Sequence, residues 1–257
     1  MKTILGTVMI LLACSLAFSQ EYRTPLTAKR VRLVLQNNEA IIEGYDGNEL
    51  VVQAKGYESP PERAEGLRPL YSSGTDNSGI GLSINEEGGE MSIIKVGRAD
   101  VKYEFKIPRN TAVIIEEVNH MGDDLLFRNL SGEIEVRTTN SDIRMENVTG
   151  PIVANCVSGD IDVVFANVNQ QKPCSITAVS GDVDITMPTL TPANLKLASI
   201  SGEVYTNFDI ALKNEGQDTS GLRRLGMGRP IEGTINSGGV DMQVKSISGN
   251  IYLRKSE

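Results

Sequence analysis

Between Asn129 and Val163 the chain repeats one short pattern of polar and apolar positions. It runs Leu130-Ser131-Gly132-Glu133-Ile134-Glu135-Val136, Asn140-Ser141-Asp142-Ile143-Arg144-Met145, Thr149-Gly150-Pro151-Ile152-Val153-Ala154 and Ser158-Gly159-Asp160-Ile161-Asp162-Val163. The anchors Ile134, Ile143, Ile152 and Ile161 stand nine residues apart, and further copies centre on Val183, Val204, Val240 and Ile251. A second set follows two places on: Val136, Met145, Ala154, Val163, Ile185, Thr206, Met242 and Leu253. Side chains two apart share one face of a strand, so each copy predicts a short strand with one buried flank. Most anchors are Val or Ile, whose branched side chains suit a pleated surface. The Ser, Thr or Asn before Gly predicts a tight corner, because Gly accepts unusual backbone angles and the polar neighbour bonds nearby backbone.

A unit of strand plus corner cannot bury its face alone, and stacking such units makes a continuous core. The spacing from Gly159 to Gly181 is 22 residues and from Gly181 to Gly202 is 21, against 18 for two of the tighter units. Coils of roughly twenty residues with occasional insertions follow. The expected fold is therefore all-β, a right-handed parallel β-helix or β-roll-like solenoid, with an antiparallel β-sandwich or barrel as the alternative. Earlier strand patterns occur at Val31–Leu35, Ala40–Gly44, Leu50–Ala54, Ile80–Ile84, Met91–Ile94, Val101–Ile107 and Ala112–Ile115, with a turn at Asn37-Asn38. Residues 20–30 read as a loose leader, residues 56–79 and 209–232 as irregular insertions, and Ala211-Leu212-Lys213 as a helical turn. The last copy, ending at Leu253, is expected to cap the stack.

Residues 1–19 carry a basic start, an apolar middle and the small-x-small ending Ala17-Phe18-Ser19 of a secretory signal peptide. An alternative is lipidation at Cys14 within Leu11-Leu12-Ala13-Cys14. Residues 20–257 then form a single all-β domain, and no later segment is apolar for long enough to span a membrane as a helix. The formal charge of −8 becomes one unit more negative without Lys2, which argues against nucleic acid or anionic lipid as partner. With 40% apolar residues, only 5% aromatic and no Trp, the core is one of Val, Ile, Leu and Ala, suited to a narrow coil. Aligning Gly159 with Gly181 puts Cys156 beside Ala178 and Cys174 beside Ile152. Both are expected as free, buried thiols, since their separation exceeds disulfide reach.

At this point the layout resembles the bacterial putative-adhesin family of unknown function. Its elements are the turn Gly44-Tyr45-Asp46-Gly47 with strand Leu50-Val51-Val52, the proline-ended strand Phe105-Lys106-Ile107-Pro108, and the serine-glycine ladder from Ser131-Gly132 to Ser248-Gly249. The resemblance spans residues 30–255 and implies an exported β-helix-like domain, while bringing no catalytic residues with it.

The acidic positions Asp160, Asp162, Asp182 and Asp184 align between copies, with Glu133, Glu135 and Glu203 in equivalent places. Stacking would bring Asp160 and Asp182 one strand spacing apart, within reach of a shared calcium ion. Alternation equally makes them a solvated flank, and the glycine-rich nonapeptide of calcium-binding rolls is absent, so no metal or other cofactor is expected. His120 is the only histidine, near Asp123 and Asp124, and Arg223-Arg224 is the one arginine pair in the second insertion. No nucleophile elbow, P-loop or dinucleotide fingerprint occurs. The expectation is a non-catalytic cell-envelope protein of the periplasm or cell surface that binds a protein or polysaccharide partner. The alternatives are a β-helical polysaccharide lyase or hydrolase, and a scaffold that self-assembles through strand edges.

Overall fold

The computed structural model describes residues 20–36, 39–67, 74–97, 99–117, 124–213 and 230–256. Residues 1–19 with Cys14, the Asn37-Asn38 turn, His120, Asp123 and Arg223-Arg224 lie outside the described residues. The early strands are β1 (Gln20–Pro25), β2 (Arg30–Leu35), β3 (Ala40–Tyr45), β4 (Glu49–Lys55), β5 (Leu82–Glu87), β6 (Glu90–Lys95) and β7 (Lys102–Pro108), with one 3-10 turn at Glu62–Ala64. The repeats supply β8 (Ala112–Glu117), β9 (Leu125–Arg128), β10 (Ile134–Thr138), β11 (Ile143–Val148), β12 (Ile152–Ser158), β13 (Ile161–Phe165), β14 (Cys174–Ser180) and β15 (Val183–Pro188). β16 (Ala193–Ser199), β17 (Val204–Thr206), β18 (Ala211–Leu212), β19 (Ile231–Ile235), β20 (Val240–Ser248) and β21 (Ile251–Ser256) complete the chain.

Through the repeats, successive strands alternate between two sheets. The first sheet runs β1-β4-β7-β3-β9-β11-β13-β15-β21-β17 and the second β18-β19-β16-β20-β14-β12-β10-β8-β2-β6-β5. Each coil is thus one strand of the second sheet, a corner, and one strand of the first. The nine-residue repeat is half a coil: Ile134 lies beside Ile152 in the second sheet, while Ile143, Ile161 and Val183 form a row in the first. The longer step from Ile161 to Val183 is taken up by residues 166–173, between β13 and β14.

The anchors Ile134, Ile143, Ile152, Ile161, Val183 and Ile251 are fully buried while Val204 is only partly covered, and Ile134, Ile152 and Val183 belong to a single core between the sheets. Burying each such aliphatic side chain contributes about 1.5–3 kcal/mol. The core is mainly aliphatic along the repeats, with Phe165 and Phe208 among its buried side chains, and its largest aromatics, Tyr103, Phe105 and Phe127, are enclosed toward the other end. Coil-to-coil pairing is parallel, as a solenoid requires, and among the described residues antiparallel pairs occur only at the sheet ends: β1, β4 and β7; β5 and β6; β16, β19 and β18. An antiparallel sandwich is excluded on that ground, and neither sheet closes into a barrel.

The spatial order of coils departs from chain order at both ends. It reads β6–β7, β2–β3, β8–β9, β10–β11, β12–β13, β14–β15, β20–β21, β16–β17. The last copy therefore does not cap the stack: β21 is held between β15 and β17. Its two anchors Ile251 and Leu253 are wholly buried, whereas Thr206 of β17 is exposed, so the weaker copy takes the end. Beyond β17, Phe208 folds into the core under the Lys255 ammonium, 5.5 Å from the ring centre. Two further expectations fail. Residues 20–25 form an edge strand on β4, because their alternating side chains find a partner with free backbone groups. Ala211-Leu212 is extended, drawn into pairing with β19.

Part of the first insertion is tied down firmly. The Asp76 carboxylate accepts hydrogen bonds from the Ser78, Gly79 and Gly81 amides, each at 2.9 Å, from the Ser78 hydroxyl at 2.9 Å and from the Tyr57 hydroxyl at 3.1 Å. Burial alone would raise its pKa, but the hydrogen bonds from Gly81, Ser78 and Gly79 prevail and hold it below the usual value.

Candidate functional site

The serine-glycine corners stack as a ladder along one side of the solenoid. The Asp142 carboxylate accepts the Asp160 amide at 2.8 Å, Asp160 that of Asp182 at 2.7 Å, and Asp182 that of Asn250 at 2.7 Å. The Asn250 side-chain oxygen in turn accepts the Glu203 amide at 3.0 Å. The glycines permit this closeness: a Cβ on Gly181 would lie 2.0 Å from the Gly159 carbonyl oxygen, and one on Gly249 2.0 Å from that of Gly181. Two of the four aligned acids, Asp160 and Asp182, thus satisfy the backbone of the next coil.

Asp162 and Asp184 point the other way, onto the outer face of the first sheet, as register neighbours on β13 and β15. Arg254 grips Asp184 through Nε, 2.9 Å from each carboxylate oxygen, and through Nη2 at 2.8 Å. Arg144 reaches Asp162 at 3.7 Å. Burial lifts the Asp162 carboxyl above the usual range; Arg144 opposes this, and the negative Asp184, Asp160 and Asp142 reinforce it. The structure therefore brings the four acids to one flank but divides them between a corner and a face. Among the described residues, no group of three or more His, Cys, Asp or Glu is placed to hold a metal ion.

The same row of the first sheet carries a feature the repeat pattern did not single out. Tyr205 and Tyr252 are register partners on β17 and β21. Their rings stack with centroids 5.3 Å apart and planes inclined by 13°. The Arg254 guanidinium carbon sits 5.1 Å from the Tyr252 ring centre, and the Asn250 amide donates to the Tyr252 hydroxyl at 3.2 Å. The signal was present in the sequence, since each tyrosine directly follows an anchor, Val204 or Ile251. Missing was the knowledge that these two copies are neighbours.

The remaining candidates are dispersed. Asp124 is exposed at the start of β9. Cys156 and Cys174 are free and buried, and Cys156 lies beside Ala178 as the register predicted. Burial pushes both thiols up, away from the reactive thiolate, and the Cys156 thiol donates to the Ser141 carbonyl at 3.4 Å. Nearby, the buried Glu117 carboxylate accepts hydrogen bonds from the Thr138 and Ser141 hydroxyls. At the other end, Tyr45, Asp46, Gly47, Pro108 and Arg109 line a shallow depression of about 320 Å³, where Arg109 pairs with Asp46 at 2.7 and 3.0 Å.

No curated protein sequence matches the chain significantly. Among solved structures, a "putative cell adhesion protein" from Clostridium sporogenes is 12% identical, covering 93% of this chain and 100% of its own, with a TM-score of 0.46. A "putative adhesin" from Bacteroides fragilis is 10% identical, covering 93% and 97%, with a TM-score of 0.38. A "putative lipid binding protein" from Parabacteroides distasonis is 14% identical, covering 93% and 97%, with a TM-score of 0.30. The family model described as Toastrack DUF4097 matches residues 117–254, the stretch that holds the corner ladder and the tyrosine pair. With more than half of its length matched, the chain belongs to the Toastrack DUF4097 family.

Proposed function

We propose that the protein is a non-catalytic, exported binding protein of the cell envelope, which offers the outer face of its solenoid to a protein or polysaccharide partner. The observation that carries this reading is the braced character of the first sheet's outer face. Parallel register sets its side chains in straight rows, and cross-strand pairs such as Arg128–Glu146 at 2.9 Å and Arg254–Asp184 at 2.8 Å hold them in place. A surface already ordered before contact loses little entropy on binding, so modest contacts suffice for recognition. The basic start, apolar middle and Ala17-Phe18-Ser19 ending of residues 1–19 support export, because that pattern is the one secretory signal peptides carry.

Co-sedimentation of the purified chain with insoluble envelope polysaccharide tests this, with released reducing ends and unsaturated uronates followed in the same tubes. Saturable binding without released product is the expected result. Bond cleavage that disappears in Asp162→Ala or Asp184→Ala would instead establish a polysaccharide lyase or hydrolase. Absence of saturable binding, both here and to envelope proteins in a pull-down with the purified chain, would refute the reading.

A further inference from the structure

We infer that the Tyr205–Tyr252 stack at the end of the first sheet is a carbohydrate subsite, taking an uncharged hexopyranose unit of a glycan onto the open face of Tyr205. This rests on the binding role proposed above and assigns it a ligand class and a place.

Tyr205 stands on β17, the edge strand of its sheet, and is 52% exposed. One side of its ring lies against Tyr252; on the other side no strand follows in that sheet among the described residues. The side chain is nonetheless not loose. Tyr252 supports it from behind and is itself fixed by Arg254 and by the Asn250 amide. Arg254 is locked in turn by its two-pronged pair with Asp184. The result is a supported aromatic plane at the sheet edge, with its own hydroxyl at the border and the exposed Glu203 two residues before it. A hexopyranose matches that combination, with an apolar C–H face to lie on the ring and hydroxyls around its rim to exchange hydrogen bonds.

Charge selects among glycans. Continuing along the row from Tyr252, the sheet presents Asp184 and then Asp162, with Asp160 and Asp142 close by at the corner. Arg254 is spent on Asp184, and Arg144 approaches Asp162 only at 3.7 Å. Nearer the open face, the exposed Glu203 two residues before Tyr205 and the net negative charge of the chain disfavour a uronate, sulfate or phosphate, so the subsite favours neutral sugars.

Isothermal titration calorimetry of the full chain with maltohexaose, cellohexaose and N-acetylchitohexaose, and with oligogalacturonate as the anionic comparison, tests the assignment. Saturable binding to at least one neutral oligosaccharide is expected. It should weaken at least about tenfold in Tyr205→Ala and stay within about threefold of the original in Tyr205→Phe, which keeps the stacking face. Tyr205 is an exposed edge residue, so an unchanged thermal transition in both variants shows that the loss is local. Equal affinity of Tyr205→Ala and the original chain, tighter binding of oligogalacturonate, or no binding of the three neutral probes overturns the inference. The two proposals fail separately. Envelope polysaccharide that co-sediments equally with the original chain and with Tyr205→Ala removes this subsite and leaves the binding role standing.

Discussion

Replacing Gly181 by Ala tests whether close stacking of corners holds the solenoid together. The added Cβ would sit 2.0 Å from the Gly159 carbonyl oxygen and 2.7 Å from its carbon, where contacts under 3.0 Å are not tolerated. Both are backbone atoms, so no side chain can swing aside and the two coils must separate by about 1 Å. Three bonds span or brace this corner: the Asp182 amide to Asp160 at 2.7 Å, the Gly159 amide to the Ser180 carbonyl at 3.0 Å, and the Ser246 hydroxyl to the Gly181 carbonyl at 3.1 Å. At about 1 kcal/mol each, their loss costs roughly 3 kcal/mol. The backbone at Gly181, with φ of +148°, adds about 1–3 kcal/mol for a residue bearing a side chain. A total of about 4–6 kcal/mol is a large part of a typical domain's stability and corresponds to a fall in Tm of roughly 10–20 °C. The control is Gly89→Ala, where φ is +81° but nothing lies within 4 Å of the new Cβ, so only about 1–2 kcal/mol of backbone cost applies. Thermal and urea unfolding followed by circular dichroism measure both variants. If Gly181→Ala melts no lower than Gly89→Ala, corner packing does not stabilise the stack as argued.

Further outcomes are expected from other regions. A chain ending at Gly249 lacks a strand from inside the first sheet, stripping cover from Val183 and Ile185, and should lose its cooperative unfolding transition in calorimetry. A chain starting at Leu26 lacks only edge strand β1 and should keep that transition. Asp76→Asn should cost about 2 kcal/mol near neutral pH, because one amide nitrogen would face backbone donors. Since the Asp76 pKa is depressed on folding, its stabilising effect is complete above the ordinary value of 3.8 and is lost as pH falls through the lower folded value. The stability gap between the original chain and Asp76→Asn, measured by urea titration, should thus hold from pH 7 to about 4 and narrow below that. Cys156 and Cys174 should resist a thiol reagent such as Ellman's in the folded protein and react together on unfolding, their rate tracking denaturant.

Much of the candidate site was legible before the structure, but in pieces. The alignment of Asp160 with Asp182 and of Asp162 with Asp184 follows from the copies, and their register bears it out. Alternation sends Asp162 and Asp184 outward, but the expectation of a solvated flank treated all four acids alike. The carboxylates of Asp160 and Asp182 instead meet the next coil's amides, because corner residues leave the regular strand and can bend back along the stack. Tyr205 and Tyr252 lie 47 residues apart in the chain, and only the placement of β21 beside β17 makes them a pair.

By itself the sequence determined the strand and corner, the alternation of buried and outward positions, the half-coil length and the near-neighbour register of β10 to β15. These depend on side chains within about twenty residues, where apolar spacing and corner glycines favour stacked coils, and the parallel pairing in the structure removes the sandwich alternative. The tertiary structure alone decided which coil lies next to which at the two ends. Parallel strands present the same backbone donors and acceptors to any neighbour, so coil order is set by how each copy's buried face fits and by how far its connection reaches. That is why Ile251 and Leu253 are enclosed while Thr206 stands at the edge, and why the tyrosine pair exists at all.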